Sequence, residues 1–123
     1  MDEDGIAVAR RCYQAYVDGD RTAIEALIGE EFSFTSPVDN ALDRKTYFER
    51  CWPNHRNLAG FRFVHLVADA DRVFVTYEAR TATGEAFRNT EILTIRDGRL
   101  VAAEVYFGWP MPHPAPSSGF IDR

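Results

Sequence analysis

Two long runs of alternating apolar and polar residues flank Asp97-Gly98 and predict a β-hairpin. The Asp-Gly pair favours a tight turn, because glycine adopts a positive φ without steric cost. A two-residue turn would place Glu91 directly opposite Glu104, where two like charges repel each other across the ladder. A three-residue turn, with the glycine in the left-handed conformation, places Glu91 opposite Ala103 instead. We therefore expect the three-residue turn.

This register divides the hairpin into two faces, because successive side chains of a strand point to opposite sides. The first face carries Phe87, Asn89, Glu91, Leu93, Ile95, Val101, Ala103, Val105 and Phe107. The second carries Arg88, Thr90, Ile92, Thr94, Leu100, Ala102, Glu104 and Tyr106. A carboxylate on the first, apolar face is costly unless it is paired, solvated or protonated. Glu91 therefore has two possible roles. It either pairs with a partner such as an arginine, or sits near a wet rim, or it lines a pocket together with Asn89 and serves as the acid or base of that pocket.

Composition and charge restrict the class of protein. A chain of 123 residues fits one domain, and 46% hydrophobic residues with 9 Phe, 5 Tyr and 2 Trp indicate a folded core. The net charge of −5 and the absence of a basic run argue against nucleic acid as a partner. No apolar stretch reaches the ~20 residues of a membrane span, and the acidic N-terminus does not resemble a secretory signal. Two cysteines predict reduced thiols in a cytoplasmic protein, and no metal cluster or cofactor motif is expected.

Helical periodicity and strand alternation divide the rest of the chain into short elements. Helices are predicted at residues 4–18, 20–28 and 43 to about 52, with Asp4, Asp20 and Asp43 as their N-caps. Strands are predicted at residues 32–36, 61–68 and 72–81, with a loop at 53–60. A three-residue turn at 82–84 would pair Tyr77 with Asn89, and Tyr77 would then join the face of Glu91.

Proline density separates the end of the chain from the rest. We expect residues 1–109 to form a single α+β domain, and residues 110–123 to lack regular structure. This proline-rich segment is either a disordered tail or an extended arm on a hydrophobic surface. Phe120 and Ile121 near its end favour the arm.

Several short motifs are similar to those of one known superfamily. They are Ala15-Tyr16-Val17-Asp18-Gly19-Asp20, Phe34-Thr35-Ser36-Pro37-Val38, Asn89-Thr90-Glu91, Arg96-Asp97-Gly98-Arg99-Leu100 and Val105-Tyr106-Phe107-Gly108. Over residues 5–108 the chain resembles the SnoaL-like polyketide cyclase and ketosteroid isomerase branch of the nuclear transport factor two-like superfamily. The resemblance implies a cone-shaped α+β barrel, with three N-terminal helices packed on a curved, mainly antiparallel β-sheet. It also implies an apolar small molecule in the mouth of the cone, no cofactor, and a homodimer through the outer sheet face.

The isomerase pattern can be transferred only in part. Its general-base aspartate falls on Ser36, its oxyanion tyrosine on Cys12, and its second oxyanion group, a protonated aspartic acid, on Glu91. Two of the three positions differ, so we expect no steroid isomerase activity. Asp39, three residues beyond Ser36, is a further acidic group that could reach the mouth.

Two functions follow from the resemblance. In the first, the protein is an acid/base enzyme of cyclase or isomerase type that acts on an apolar carbonyl compound, with Glu91 and Asn89 as catalytic residues. The residues expected to contact the substrate are Cys12, Tyr16, Phe34, Ser36, Trp52, His55, Tyr77 and Phe107. In the second, the protein is a dimeric binding module that holds an apolar ligand without converting it.

Overall fold

The computed structural model describes residues 4–115 of the chain. The first element is a helix with an N-cap. Asp4 accepts a hydrogen bond from the Ile6 N–H and starts α1 (Gly5–Asp18), and Gly19 ends the helix in the left-handed conformation. Two shorter helices follow, α2 (Arg21–Leu27) and α3 (Arg44–Arg50), capped by Asp20 and Asp43. The three predicted N-caps are therefore confirmed.

Six strands form one curved sheet that does not close. They are β1 (Ile28–Ser36), β2 (Asp39–Asp43), β3 (Leu58–Asp69), β4 (Arg72–Thr81), β5 (Ala86–Arg96) and β6 (Arg99–Met111). Their order is β2-β1-β6-β5-β4-β3, antiparallel except for the parallel pair β1 and β6. The helices pack on the concave side, with α1 across β3 to β6. The predicted fold class is confirmed.

The boundaries of several elements differ from the prediction. The strand β2 was missed, because five residues with two aspartates carry too little apolar alternation to predict a strand. The segment expected as a loop at 53–60 contains a 3₁₀ helix, Trp52–Asn57, and the start of β3. Pro53 stands at the first turn of that helix, where its missing N–H costs nothing.

The last strand extends into the proline-rich segment. The strand β6 continues through Pro110 to Met111, where no regular structure was expected. Pro110 pairs with Phe87 of β5, while the ladder between β1 and β6 ends at Glu104. A proline is tolerated here because no second neighbour needs its missing N–H. The predicted arm residues Phe120 and Ile121 lie outside the described residues.

The hairpin turn between β5 and β6 has two residues, and the expected three-residue turn is wrong. Asp97 and Gly98 have φ values of 53° and 75°, and Arg96 pairs with Arg99. Positive φ at both central residues is typical of the turn whose twist matches the flanking strands.

A β-bulge on β6 sets the register beyond this turn. The pairing is Ile95 with Leu100 and then Thr94 with Ala102. Val101 is therefore an extra residue on β6. Leu100 and Val101 are both buried, so Leu100, expected on the outer face, turns inward.

The bulge places Glu91 opposite Val105, so the expected pairing with Ala103 is wrong. The two like charges still avoid each other, because Glu104 pairs with Ile92 and belongs to the outer face. The parity of the remaining residues is unchanged, and Asn89 and Glu91 share the inner face as predicted.

Candidate functional site

A cavity of about 400 Å³ lies between the concave face of the sheet and the helices. Aromatic side chains form much of its wall, among them Tyr13, Tyr16, Phe34, Tyr47, Phe61 and Phe87. Ile24, Ile28, Leu93 and Leu100 are among its aliphatic lining residues. Val38 and Phe107 also line it and are 75% and 55% exposed, which marks the open end of the cavity, called the mouth below.

Glu91 projects into this cavity from the middle of β5. Burial raises the pKa of its carboxyl, and hydrogen bonding from Tyr77 offsets the rise in part. No ion pair among the described residues includes Glu91. Arg88 lies on the other face and pairs with Glu78, as alternation along the strand requires. Among residues 4–115, the carboxyl therefore faces the cavity without a counter-charge.

A chain of three hydrogen bonds ends on Glu91. The Gly108 N–H donates to Asn89 Oδ1 (3.1 Å), Asn89 Nδ2 donates to the Tyr77 hydroxyl (3.3 Å), and that hydroxyl donates to Glu91 Oε2 (2.9 Å). Asn89 therefore does not donate to Glu91 itself, because the Tyr77 hydroxyl lies between the two side chains. The predicted pairing of Tyr77 with Asn89 across β4 and β5 is confirmed, and it explains why these two side chains meet.

Gly108 fixes the direction in which these three hydrogen bonds run. The strand register shifts between Arg88 and Asn89, and a Cβ at Gly108 would collide with the backbone carbonyl of Arg88. The close approach leaves the Gly108 N–H to the Asn89 side-chain oxygen. Because that oxygen is the acceptor, the amide nitrogen faces Tyr77, and the tyrosine proton is directed to Glu91.

Tyr13 lies beside the same carboxyl and was not among the predicted site residues. Its hydroxyl is buried and lacks a well-formed hydrogen bond, yet its proximity to Glu91 lowers the pKa of the glutamate. Burial, and then the Glu91 charge, raise the pKa of the Tyr13 hydroxyl in turn. Helical spacing places Tyr13 on the apolar stripe of α1 but does not show what its hydroxyl meets, so this role could not be read from the sequence.

A second carboxylate lines the cavity toward its mouth. Asp39 Oδ2 accepts a hydrogen bond from the Ser36 hydroxyl (2.9 Å), across the tight connection between β1 and β2. Its other oxygen lies 3.9 Å from the Arg50 guanidinium. The structure thus places Asp39 in the wall of the cavity, as suggested from its spacing to Ser36.

The structure brings most of the predicted site residues to this one cavity. Those that line it are Cys12, Tyr16, Phe34, Ser36, Tyr77, Asn89, Glu91 and Phe107. Trp52 and His55 do not line it, because their rings pack together at 4.7 Å against the ring of Tyr16. The Tyr16 hydroxyl donates to the Cys51 carbonyl oxygen.

The chemical groups present limit the other kinds of site. Within residues 4–115, no group of three or more histidine, cysteine or acidic side chains could hold a metal ion. Burial raises the pKa of the Cys12 thiol to about 12, which keeps it protonated and weakly nucleophilic. Among the described helices, none is long and apolar enough to cross a membrane. The polar residues that line the cavity, such as Glu91, Asp39 and Asn89, offer acid/base and hydrogen-bonding groups.

Comparisons with known proteins agree with this description. The sequence model of the SnoaL-like domain matches residues 9–103. No curated protein sequence matches the chain. A solved structure from Kribbella flavida superposes with a TM-score of 0.77 at 18% identity, over 84% of this chain and 85% of the other.

Two further solved structures carry functional names. A candidate ketosteroid isomerase from Kribbella flavida has a TM-score of 0.72 at 16% identity, with 95% of this chain and 86% of the other covered. A LEH-like epoxide hydrolase from M. tuberculosis has a TM-score of 0.70 at 15% identity, with 85% and 82% covered. At these identities the likeness shows a shared fold and no shared activity.

Proposed function

The chain belongs to the SnoaL-like domain family, and we propose that its cavity binds an apolar carbonyl compound with which Glu91 exchanges a proton. The reaction would be of cyclase or isomerase type, without a cofactor. The fold hosts catalytic and purely binding proteins alike, so the support must come from the site itself.

The state of Glu91 is the observation that carries this proposal. Its carboxyl faces an apolar cavity, its pKa is raised by burial, and it has no cationic partner among residues 4–115. A structural glutamate in the same position would gain stability from an arginine or lysine partner. A general base or acid, by contrast, works best when its pKa approaches the working pH.

Asn89 supplies the second chemical group. The carboxylate form of Glu91 takes a proton from the carbon next to the carbonyl, and the negative charge moves to the carbonyl oxygen as an enolate. Asn89 Nδ2 carries two hydrogens, of which the hydrogen bond to Tyr77 uses one. The other remains to stabilise the enolate oxygen before Glu91 returns the proton.

Hydrogen exchange on a simple ketone tests this function without knowledge of the natural substrate. In D₂O, the protein should accelerate the exchange of the acidic protons of β-tetralone, followed by proton NMR. Glu91→Gln should abolish the acceleration, because the amide cannot take a proton. Glu49→Gln removes an exposed carboxylate from α3 and should leave the rate unchanged. Equal rates with wild type, with Glu91→Gln and without protein would reject the catalytic role.

A non-catalytic binding module is the second candidate, and a specific observation favours it. Ser36 and Cys12 stand where steroid isomerases have a base and an oxyanion donor, so the cavity lacks two groups used by those enzymes. In that case the protein would bind β-tetralone in calorimetry without accelerating its exchange, and Glu91→Gln would change the affinity only modestly.

We propose a homodimer through the outer sheet face in either case. Large apolar side chains on this face are exposed, namely Val67 (58%), Phe74 (37%), Tyr106 (51%) and Trp109 (44%). Large exposed apolar patches on small proteins mark interaction sites.

The free thiols Cys12 and Cys51 support the prediction of a reducing, cytoplasmic environment.

A further inference from the structure

The charges that line the cavity are all of one sign. Glu91 and Asp39 are its two acidic residues, and within the part of the chain that the structure describes no lysine, arginine or histidine lines it. Arg50 approaches Asp39 with a side chain that is 62% exposed, and it does not belong to the wall. An anionic ligand would therefore meet two acidic side chains in the wall, with Arg50 beside Asp39 but outside the wall.

The Glu91 charge affects several tyrosine hydroxyls around the cavity. Besides burial, which is the largest cause, the Glu91 charge contributes to the raised pKa values of Tyr16, Tyr47 and Tyr77. Near the mouth, burial raises the pKa of the Cys51 thiol to about 11, and Asp39 adds to this rise more than Arg50 offsets it. When Glu91 and Asp39 are ionised, their charges thus disfavour further negative charge on these side chains, despite the nearby arginine.

Asp39 has room for another hydrogen-bond donor. A carboxylate offers about four lone-pair positions, and the side chains found on Asp39 are the Ser36 hydroxyl at 2.9 Å and the Arg50 guanidinium at 3.9 Å. The guanidinium distance is too long for a hydrogen bond. The Asp39 side chain is only 14% exposed. A cationic donor on a ligand would therefore meet a carboxylate that is partly shielded from water.

We propose that the ligand is an amine as well as a carbonyl compound, with a protonated amino group that binds Asp39 at the mouth. The apolar body of the ligand lies against the aromatic wall, and its carbonyl end reaches Glu91 and Asn89. This assignment rests on the proposed function for the carbonyl end, while Asp39 alone selects the amine.

Three ligands with one ring skeleton test the selection. Aminotetralin is cationic near neutral pH, tetralol is neutral, and tetralin carboxylic acid is anionic. We expect calorimetry at low salt to show the amine binding on the order of tenfold more tightly than the alcohol, which corresponds to about 1.4 kcal/mol of attraction between the ammonium group and Asp39. The carboxylate should bind more weakly than the alcohol. Equal affinity for amine and carboxylate would overturn the assignment.

Variants locate the selecting group. Asp39→Asn keeps an acceptor for Ser36 and should remove the preference for the amine over the alcohol, whereas Asp69→Asn, an equal loss of charge at the exposed end of β3, should keep it. Arg50→Gln removes the competing cation and should tighten amine binding several-fold without a change for the alcohol. If Asp39→Asn keeps the preference while Glu91→Gln removes it, the amine binds at Glu91 and the assignment to Asp39 is wrong.

The two proposals fail in different ways. Exchange of β-tetralone depends on Glu91 and needs no amine, so it can persist when the amine preference is absent. The amine preference is a binding measurement on Asp39, and it can persist in a protein that catalyses no exchange. Arg50→Gln retains Asp39 and Ser36, so it keeps the test decisive even if Asp39→Asn fails to fold.

Discussion

The Tyr77 hydroxyl donates a hydrogen bond of 2.9 Å to Glu91 Oε2, from a strand position diagonal to the glutamate. The direct neighbour of Glu91 on β4 is Val75, which is fully buried. A long side chain two residues along a neighbouring strand can reach such a diagonal partner. One oxygen of the Glu91 carboxyl thus accepts a hydrogen bond from Tyr77, while the carboxyl still lines the cavity.

Loss of this bond should raise the pKa of Glu91 further. Tyr77→Phe removes the largest contribution that lowers it, and a hydrogen bond to the charged form favours that form. A carboxyl NMR titration of wild type and variant measures the shift. Tyr106→Phe is the matched control, because its hydroxyl bonds Glu104 on the exposed face. An unchanged or lower pKa of Glu91 in Tyr77→Phe would contradict the geometry described here.

Glu91→Gln should increase stability, but only at higher pH. The folded-state pKa of Glu91 is raised above its unfolded value, so its proton-linked stability is complete below the unfolded pKa and is lost as the pH rises through the folded one. The variant should match wild type in acid and exceed it above that window, by about 1.4 kcal/mol for each pKa unit of elevation.

Urea unfolding at a series of pH values measures this difference. Glu49→Gln serves as the control and should run parallel to wild type, because its carboxylate is exposed. A Glu91→Gln variant that is less stable than wild type at high pH would show that the charged carboxylate has a stabilising partner.

Gly108→Ala should destabilise the protein and disturb the site together. The new methyl group would collide with the Arg88 carbonyl, a backbone atom that cannot move without opening the bulge, and we expect a loss of about 2 kcal/mol or more. Gly60→Ala is the control, because its Cβ would meet only the end of the Arg80 side chain at 3.6 Å. Thermal unfolding compares the two variants. Equal melting temperatures would mean that the bulge at Gly108 is easily rearranged.

The proposed dimer should be visible by light scattering at tens of micromolar protein. Tyr106→Glu puts a second carboxylate beside Glu104 on the outer face, and like charges there should shift the equilibrium to monomer. Glu31→Gln, an exposed change on β1, should leave the mass unchanged. A wild-type mass equal to that of one chain would reject the dimer.

The sequence predicted the faces of the central strands well, because side-chain alternation has a strict period of two. That rule placed Asn89 and Glu91 on one face, and the expected three-residue turn at 82–84 added Tyr77 to it. It could not place the bulges at Val101 and Gly108, since an extra residue leaves no local signal when both neighbours are compatible with a strand. Both bulges depend on contacts with β5 that form only in the folded sheet.

The polar part of the site was harder to predict than its apolar wall. Tyr13 lies on an apolar helical stripe that is typical of core packing, and only the folded chain shows that its hydroxyl lies near Glu91. The role of Asp39 depends on β2, an element too short to be detected by alternation. His55 and Trp52 were expected to contact the substrate, but their rings pack against the ring of Tyr16 and do not line the cavity.

The extra residue at Val101 sets the register of β6 against β5. If β6 instead paired continuously from the turn at Asp97 and Gly98, with no residue skipped, the rest of the strand would slip by one residue. Val105 would then leave the inner face, and Glu104 would stand opposite Glu91, where the two like charges repel each other. In an evolving lineage, a single-codon insertion between Val101 and Glu104 would have the same result and would add a second carboxylate beside Glu91.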